Sequence, residues 1–117
     1  MGQGDPRHRR QARLMARHVP PRKLGSLGAV RARIDRIDRA LVPLLAKRFA
    51  CAERAADFKT SAAQANAQAR AAAVVANARA LARRYGAPEA AVVRVYRAMI
   101  AAGVALERRL IAVRKNS

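Results

Sequence analysis

Three charged side chains, Arg48, Lys59 and Glu107, fall where helical patterning calls for apolar ones, and a fourth, Arg31, falls at the margin. Taking about 100° per residue with Ile34 at zero, Leu41, Leu45 and Ala52 lie within roughly 20° of the stripe centre. Arg48 then falls near −40°, Lys59 near −20° and Arg31 near +60°. Arg36, Arg39, Lys47 and Arg54 all fall more than about 130° away, on the face expected to meet water. A second stripe, counted from Tyr96 through Ile100, Gly103 and Leu110, carries Glu107 at about +20°. A cation in an apolar stripe can snorkel to an interface or pair with an acid. Two together need compensating anions, and the chain has 25 Lys and Arg against 7 Asp and Glu. Such cations suit a cavity that receives an anion. Glu107 is either the ion-pair partner of Arg48 or Lys59, or a lining residue whose burial favours the protonated form, able to donate a hydrogen bond.

The elements that must position these groups follow from the pattern. From Leu27 to Lys59 there is no Gly after Gly28 and one Pro, Pro43, so the segment reads as one long helix of about 50 Å. That exceeds the breadth of a small globule, and part of the helix is expected against another subunit. Residues 60–69 lose the pattern and read as a connection, with a helix restarting near Gln68 and running to about Tyr85. Gly86 is placed to stop it and Pro88 to begin a third helix reaching about Arg114. The fold class expected is all-α, a long-short-long three-helix protomer. Arg31 and Arg48, 17 positions apart, stand about 25 Å from each other along a straight helix and cannot clasp one small ligand from the same chain. An antiparallel pairing of two such helices brings the Arg31 of one chain to the Arg48 and Lys59 of the other.

Composition sets the bounds. Residues 1–26 form a basic arm, expected to be disordered, and residues 27–117 a helical domain whose Ala-rich, aromatic-poor content buries only a modest core by itself. No run approaches a membrane span and the basic start lacks the apolar segment of a secretory signal, so the chain is expected in the cytoplasm. Cys51 is the single cysteine, and His8 and His18 near the start make no metal constellation. The net charge of +18 draws anions from nucleic acid to small dicarboxylates. A nucleic-acid reader would gather its basic residues on an exposed helix face; here they also occupy apolar stripes, and no reading motif is present.

The stretch RARIDRIDRALVPLLAKRFACAERAADFK resembles the all-helical, AroQ-type chorismate mutase family, through its Leu-x-x-x-Arg, Ile-Asp-x-Ile-Asp and Leu-Leu-x-x-Arg pattern and the Lys that closes it. The likeness extends over about residues 27–110. It implies an intertwined homodimer with two equivalent sites, no cofactor, and a place in aromatic amino acid synthesis through the shikimate pathway. By the resemblance, Arg31 is supplied from the partner chain, Arg48 binds a substrate carboxylate, Lys59 contacts the ether oxygen and a carboxylate, and Glu107 stands on the other side of that oxygen. Arg70, Ala71 and Gly103 complete the substrate-binding set. Mutases of the family usually carry Arg-Glu where this chain has Arg70 and Ala71, and the small residue together with FKTSAAQ is more similar to the isochorismate pyruvate-lyase branch. The activity implied is therefore conversion of chorismate to prephenate, with isochorismate pyruvate-lyase chemistry yielding salicylate as the close alternative. A regulatory relative without activity is favoured by Ala71 and opposed by the presence of Arg31, Arg48, Lys59 and Glu107.

Overall fold

The computed structural model describes residues 19–59 and 67–116. Three helices carry them: α1 (Leu27–Ala55), α2 (Gln68–Arg84) and α3 (Glu89–Lys115), with short 3-10 turns at Pro21–Lys23 and Ala56–Phe58 and no strand among the described residues. The all-α, long-short-long order expected from the sequence is the one observed. Residues 1–18 of the basic arm and residues 60–66 of the connection after Lys59 lie outside the described residues.

Two compact units divide the chain between Val42 and Pro43. In the first, the Ser26 hydroxyl accepts the Ala29 backbone N–H at 3.0 Å and so caps the start of α1. Arg33 Nη1 donates to the Val19 carbonyl at 2.9 Å. The stripe that patterning assigns to a core stays open here: Ile34, Ile37 and Leu41 are 49%, 52% and 46% exposed. Pro43 lies inside α1 without ending it.

In the second unit Ala56, Ala78, Ala82, Val93 and Ile111 are the buried apolar residues among those described, and no large side chain is fully enclosed. Ala78 and Ala82, one turn apart, keep the inner face of α2 shallow enough for α3 to pack close. The corner between them is a Schellman motif. Gly86 adopts φ 69°, a conformation only glycine takes without strain, while its N–H bonds to the Arg83 carbonyl and the Ala87 N–H to the Ala82 carbonyl. Arg83 Nε bonds Glu89 Oε1 at 2.8 Å across the corner. Arg83 and Arg84 in the last turn of α2 and Glu89 in the first turn of α3 also complement the helix dipoles.

One expectation is corrected. α1 does not run to Lys59; it ends at Ala55, and Lys59 has extended backbone, φ −110° and ψ 135°. The chain tightens into the 3-10 turn, in which the Lys59 N–H bonds to the Ala56 carbonyl at 3.2 Å. Arg114 of α3 donates to the same carbonyl at 2.9 Å, occupying the acceptor that a continuing helix would use one residue later.

Candidate functional site

Within the second unit, α1, α2 and α3 surround a cavity of about 390 Å³, a size suited to a small-molecule ligand. From α1 come Arg48, Cys51, Ala52 and Ala55; Lys59 follows the 3-10 turn; Arg70, Ala71 and Val74 come from α2; Ile100, Gly103, Val104 and Glu107 come from α3. Three cations thus face one carboxylate across a largely apolar wall, an environment that attracts a dianion and strengthens each charge interaction made with it.

Glu107 is 7% exposed, buried as its stripe position predicts. Lys59 Nζ donates to Glu107 Oε2 at 2.5 Å. Glu107 is thus the ion-pair partner of Lys59 and also lines the cavity. Lys59 arrives by a route other than the helical phase predicts, through the turn that ends α1. Arg48 is half-buried, and its guanidinium carbon lies 5.7 Å from the centre of the Tyr96 ring, a cation–π arrangement that holds a long side chain without neutralising it. Gly103 is buried opposite Ala52; a Cβ placed on it would meet the Ala52 Cβ at 3.6 Å, ordinary contact distance, so glycine here widens the cavity more than it permits the helix crossing. Arg70 is exposed in the first turn of α2, and Ala71 leaves the adjoining wall without a carboxyl.

The lining gathers six of the seven residues singled out from sequence. Arg31 is the exception: it belongs to the first unit, is exposed, and is not part of that lining. Tyr96 and Cys51 were not anticipated. Cys51 follows Arg48 by three residues and so shares its helix face, a signal the sequence did contain.

Behind Lys59 lies a second charge group. Asp57 receives Arg54 Nη1 on Oδ2 at 2.5 Å and Arg114 Nη2 on Oδ1, so both its oxygens are engaged. The hydrogen bond from Arg54, together with the charges of Arg114 and Arg54, holds the Asp57 carboxyl below its ordinary value of 3.8 against a smaller opposing effect of desolvation. Arg54 also stacks over Phe58, 4.7 Å from the ring centre.

The family model described as chorismate mutase type II matches residues 30–108, a span that contains Arg31, Arg48, Lys59, Arg70, Ala71, Gly103 and Glu107. No curated protein matches the chain. Among the described residues, no group of three His, Cys, Asp or Glu could hold a metal ion, and no helix is long and apolar enough to cross a membrane.

Proposed function

The chain belongs to the type II chorismate mutase family, and from that premise we propose that it is an isomerase converting chorismate to prephenate in a cavity completed by a second copy of itself. The observation that carries this reading is the Lys59–Glu107 contact inside a cavity that also holds Arg48 and Arg70. Chorismate is a dianion. Its rearrangement breaks one carbon–oxygen bond and forms one carbon–carbon bond in a single pericyclic step, with no nucleophile and no net proton transfer. Catalysis then consists of holding the compact conformer and stabilising negative charge on the ether oxygen. Arg48 binds one carboxylate through the planar fork of its guanidinium. Lys59 donates to the ether oxygen from one side, and Glu107 stands on the other, where only its protonated form can donate.

Arg31 of the second copy binds the remaining carboxylate. Two features support a dimer: Arg31 stands exposed on α1, and beside it the apolar stripe of Ile34, Ile37 and Leu41 is about half open. Isochorismate is the second reading, favoured by Ala71, which puts no carboxyl near the ring hydroxyl on that wall. In that reaction a ring hydrogen passes to the enolpyruvyl group as the carbon–oxygen bond breaks, releasing pyruvate and salicylate. The same cations serve both.

Separate incubation with chorismate and isochorismate, with prephenate, salicylate and pyruvate identified, decides between them. Prephenate as the main product is expected; salicylate and pyruvate alone would transfer the assignment to the lyase. The shared site has its own test. Arg31→Ala and Arg48→Ala, each inactive alone, should regain up to about one quarter of wild-type sites when unfolded and refolded together, because half the dimers are mixed and each mixed dimer holds one intact site. Mixed dimers without activity would exclude the shared site.

A further inference from the structure

The cavity side chains do not account for how Lys59 reaches Glu107. Lys59 has left the helix, and no regular ladder fixes the direction in which its side chain departs. What fixes it lies on α3. Glu107, Ile111 and Arg114 follow at intervals of four and three residues and therefore share one face of that helix. Each engages the segment that ends α1. Glu107 takes the Lys59 ammonium, Ile111 packs with the fully buried Ala56, and Arg114 binds both the Ala56 carbonyl and the Asp57 carboxylate. The Ala56 carbonyl also accepts the Lys59 backbone N–H, so one acceptor joins the guanidinium of α3 to the backbone of the lysine. Arg54 closes the arrangement by occupying the other oxygen of Asp57.

We propose that Arg114 is a positioning residue: with Asp57 and Arg54 it clamps the 3-10 turn Ala56–Phe58 and thereby sets the placement of Lys59 against Glu107 and the substrate. The side chains of Arg114 and Asp57 are 44% and 38% exposed, and pairs so accessible to water add little to global stability. Their contribution is local. A guanidinium that bridges a carbonyl and a carboxylate of consecutive residues removes freedom from one turn, and a donor displaced by about 1 Å can lose on the order of a hundredfold in rate. The proposal rests on the reading of Lys59 as the donor to the breaking bond.

The test uses the full chain as wild type, Arg114→Ala, Arg114→Lys and Lys59→Ala, with three measurements on each: kcat and KM for chorismate, thermal midpoint, and backbone hydrogen exchange at Lys59. Arg114→Ala is expected to lower kcat about tenfold with KM changed less, at a near-wild-type midpoint, and to speed exchange of the Lys59 amide. Arg114→Lys, which keeps the charge on a single donor nitrogen, should recover part of both effects. Unchanged kcat and Lys59 exchange in Arg114→Ala would overturn the proposal, as would a kcat loss matched by the fall in folded fraction. Failure of the catalytic reading looks different: wild type then makes no prephenate, or Lys59→Ala retains full activity, while the exchange measurement still reports whether Arg114 holds the turn.

Discussion

Residues 43–116 gather charged side chains around a cavity, whereas residues 19–42 leave an apolar stripe of α1 open. In the former, Lys59 meets Glu107, Arg48 lies against Tyr96, and Asp57 takes Arg54 and Arg114. In the latter, Leu27, Ile34, Ile37, Leu41 and Val42 are between 46% and 63% exposed. Full burial of such a side chain is worth about 1.5–3 kcal/mol, so half-open ones leave roughly 1 kcal/mol each for a partner to gain. Exposed apolar side chains also occur in residues 43–116, Phe58 and Val113 among them, so what singles out the stripe of α1 is its place beside Arg31, and under the proposed function it is the face a second copy covers. Under the proposed function, Arg31 of a second copy completes the cavity that holds Arg48, Lys59, Arg70 and Glu107.

The strongest way to break that contrast is to make the open stripe incompatible with cover. Ile37→Asp combined with Leu41→Asp puts two charges on a face that is already half exposed, so the helix itself should tolerate them. If the stripe is an interface, sedimentation should show monomers at micromolar concentration and kcat/KM should fall by more than about a hundredfold, because a desolvated, unpaired carboxylate costs several kcal/mol at each of two symmetric contacts. Unchanged mass and activity would mean that the stripe is simply solvated surface and that residues 43–116 work unaided.

A smaller effect, confined to the cavity, sharpens the other half. Glu107→Ala removes both the partner of Lys59 and the second donor, and kcat should drop about a hundredfold, the cost typical of losing one transition-state hydrogen bond. Glu107→Gln keeps a donor without needing a proton and should remain within about tenfold of wild type. Equal losses in the two variants would show that Glu107 serves through its negative charge on Lys59, and that donation to the ether oxygen has to be assigned elsewhere.

How far these positions were legible in the sequence depended on whether the helix continued through them. Arg48 and Glu107 lie well inside α1 and α3, where the phase of an apolar stripe is dependable, and both are withdrawn from solvent as that phase requires. The helical phase points Lys59 into the site only if α1 continues past its actual end; the residue is in the cavity, but a turn carries it there. Apart from the Arg54–Asp57 pair, the contacts that hold that turn come from α3, and nothing local in ADFK announces them. Arg114 looks like one more basic residue near a helix end until Ala56 and Asp57 are seen beside it. In sequence Tyr96 is the centre of a stripe, and its role under Arg48 depends on a tertiary contact that periodicity does not encode. The apolar stripe of residues 27–42 was recognised as apolar, while its exposure in a single chain is a property of the packing alone.

The smallest expected effect separates the clamp behind Lys59 from the cavity chemistry by its pH dependence. Asp57 is held below its ordinary value of 3.8, first by the hydrogen bond from Arg54 and then by the charges of Arg114 and Arg54. A carboxyl whose folded value is depressed binds fewer protons in the folded than in the unfolded state near that value, so its contribution to stability is present in full above about pH 4 and disappears as pH falls through the folded value. Asp57→Asn cannot ionise and should lack this part of the acid dependence. Thermal midpoints of wild type and variant, followed by circular dichroism from neutral pH downward, should therefore differ by a few °C at most near neutrality and converge below pH 4, since exposed ion pairs contribute little. A gap that persists unchanged into acid would mean that Asp57 acts through neutral contacts of its side chain. A gap of zero at every pH, with Lys59 exchange still altered in Arg114→Ala, would leave the Ala56 carbonyl as the part of the clamp that matters.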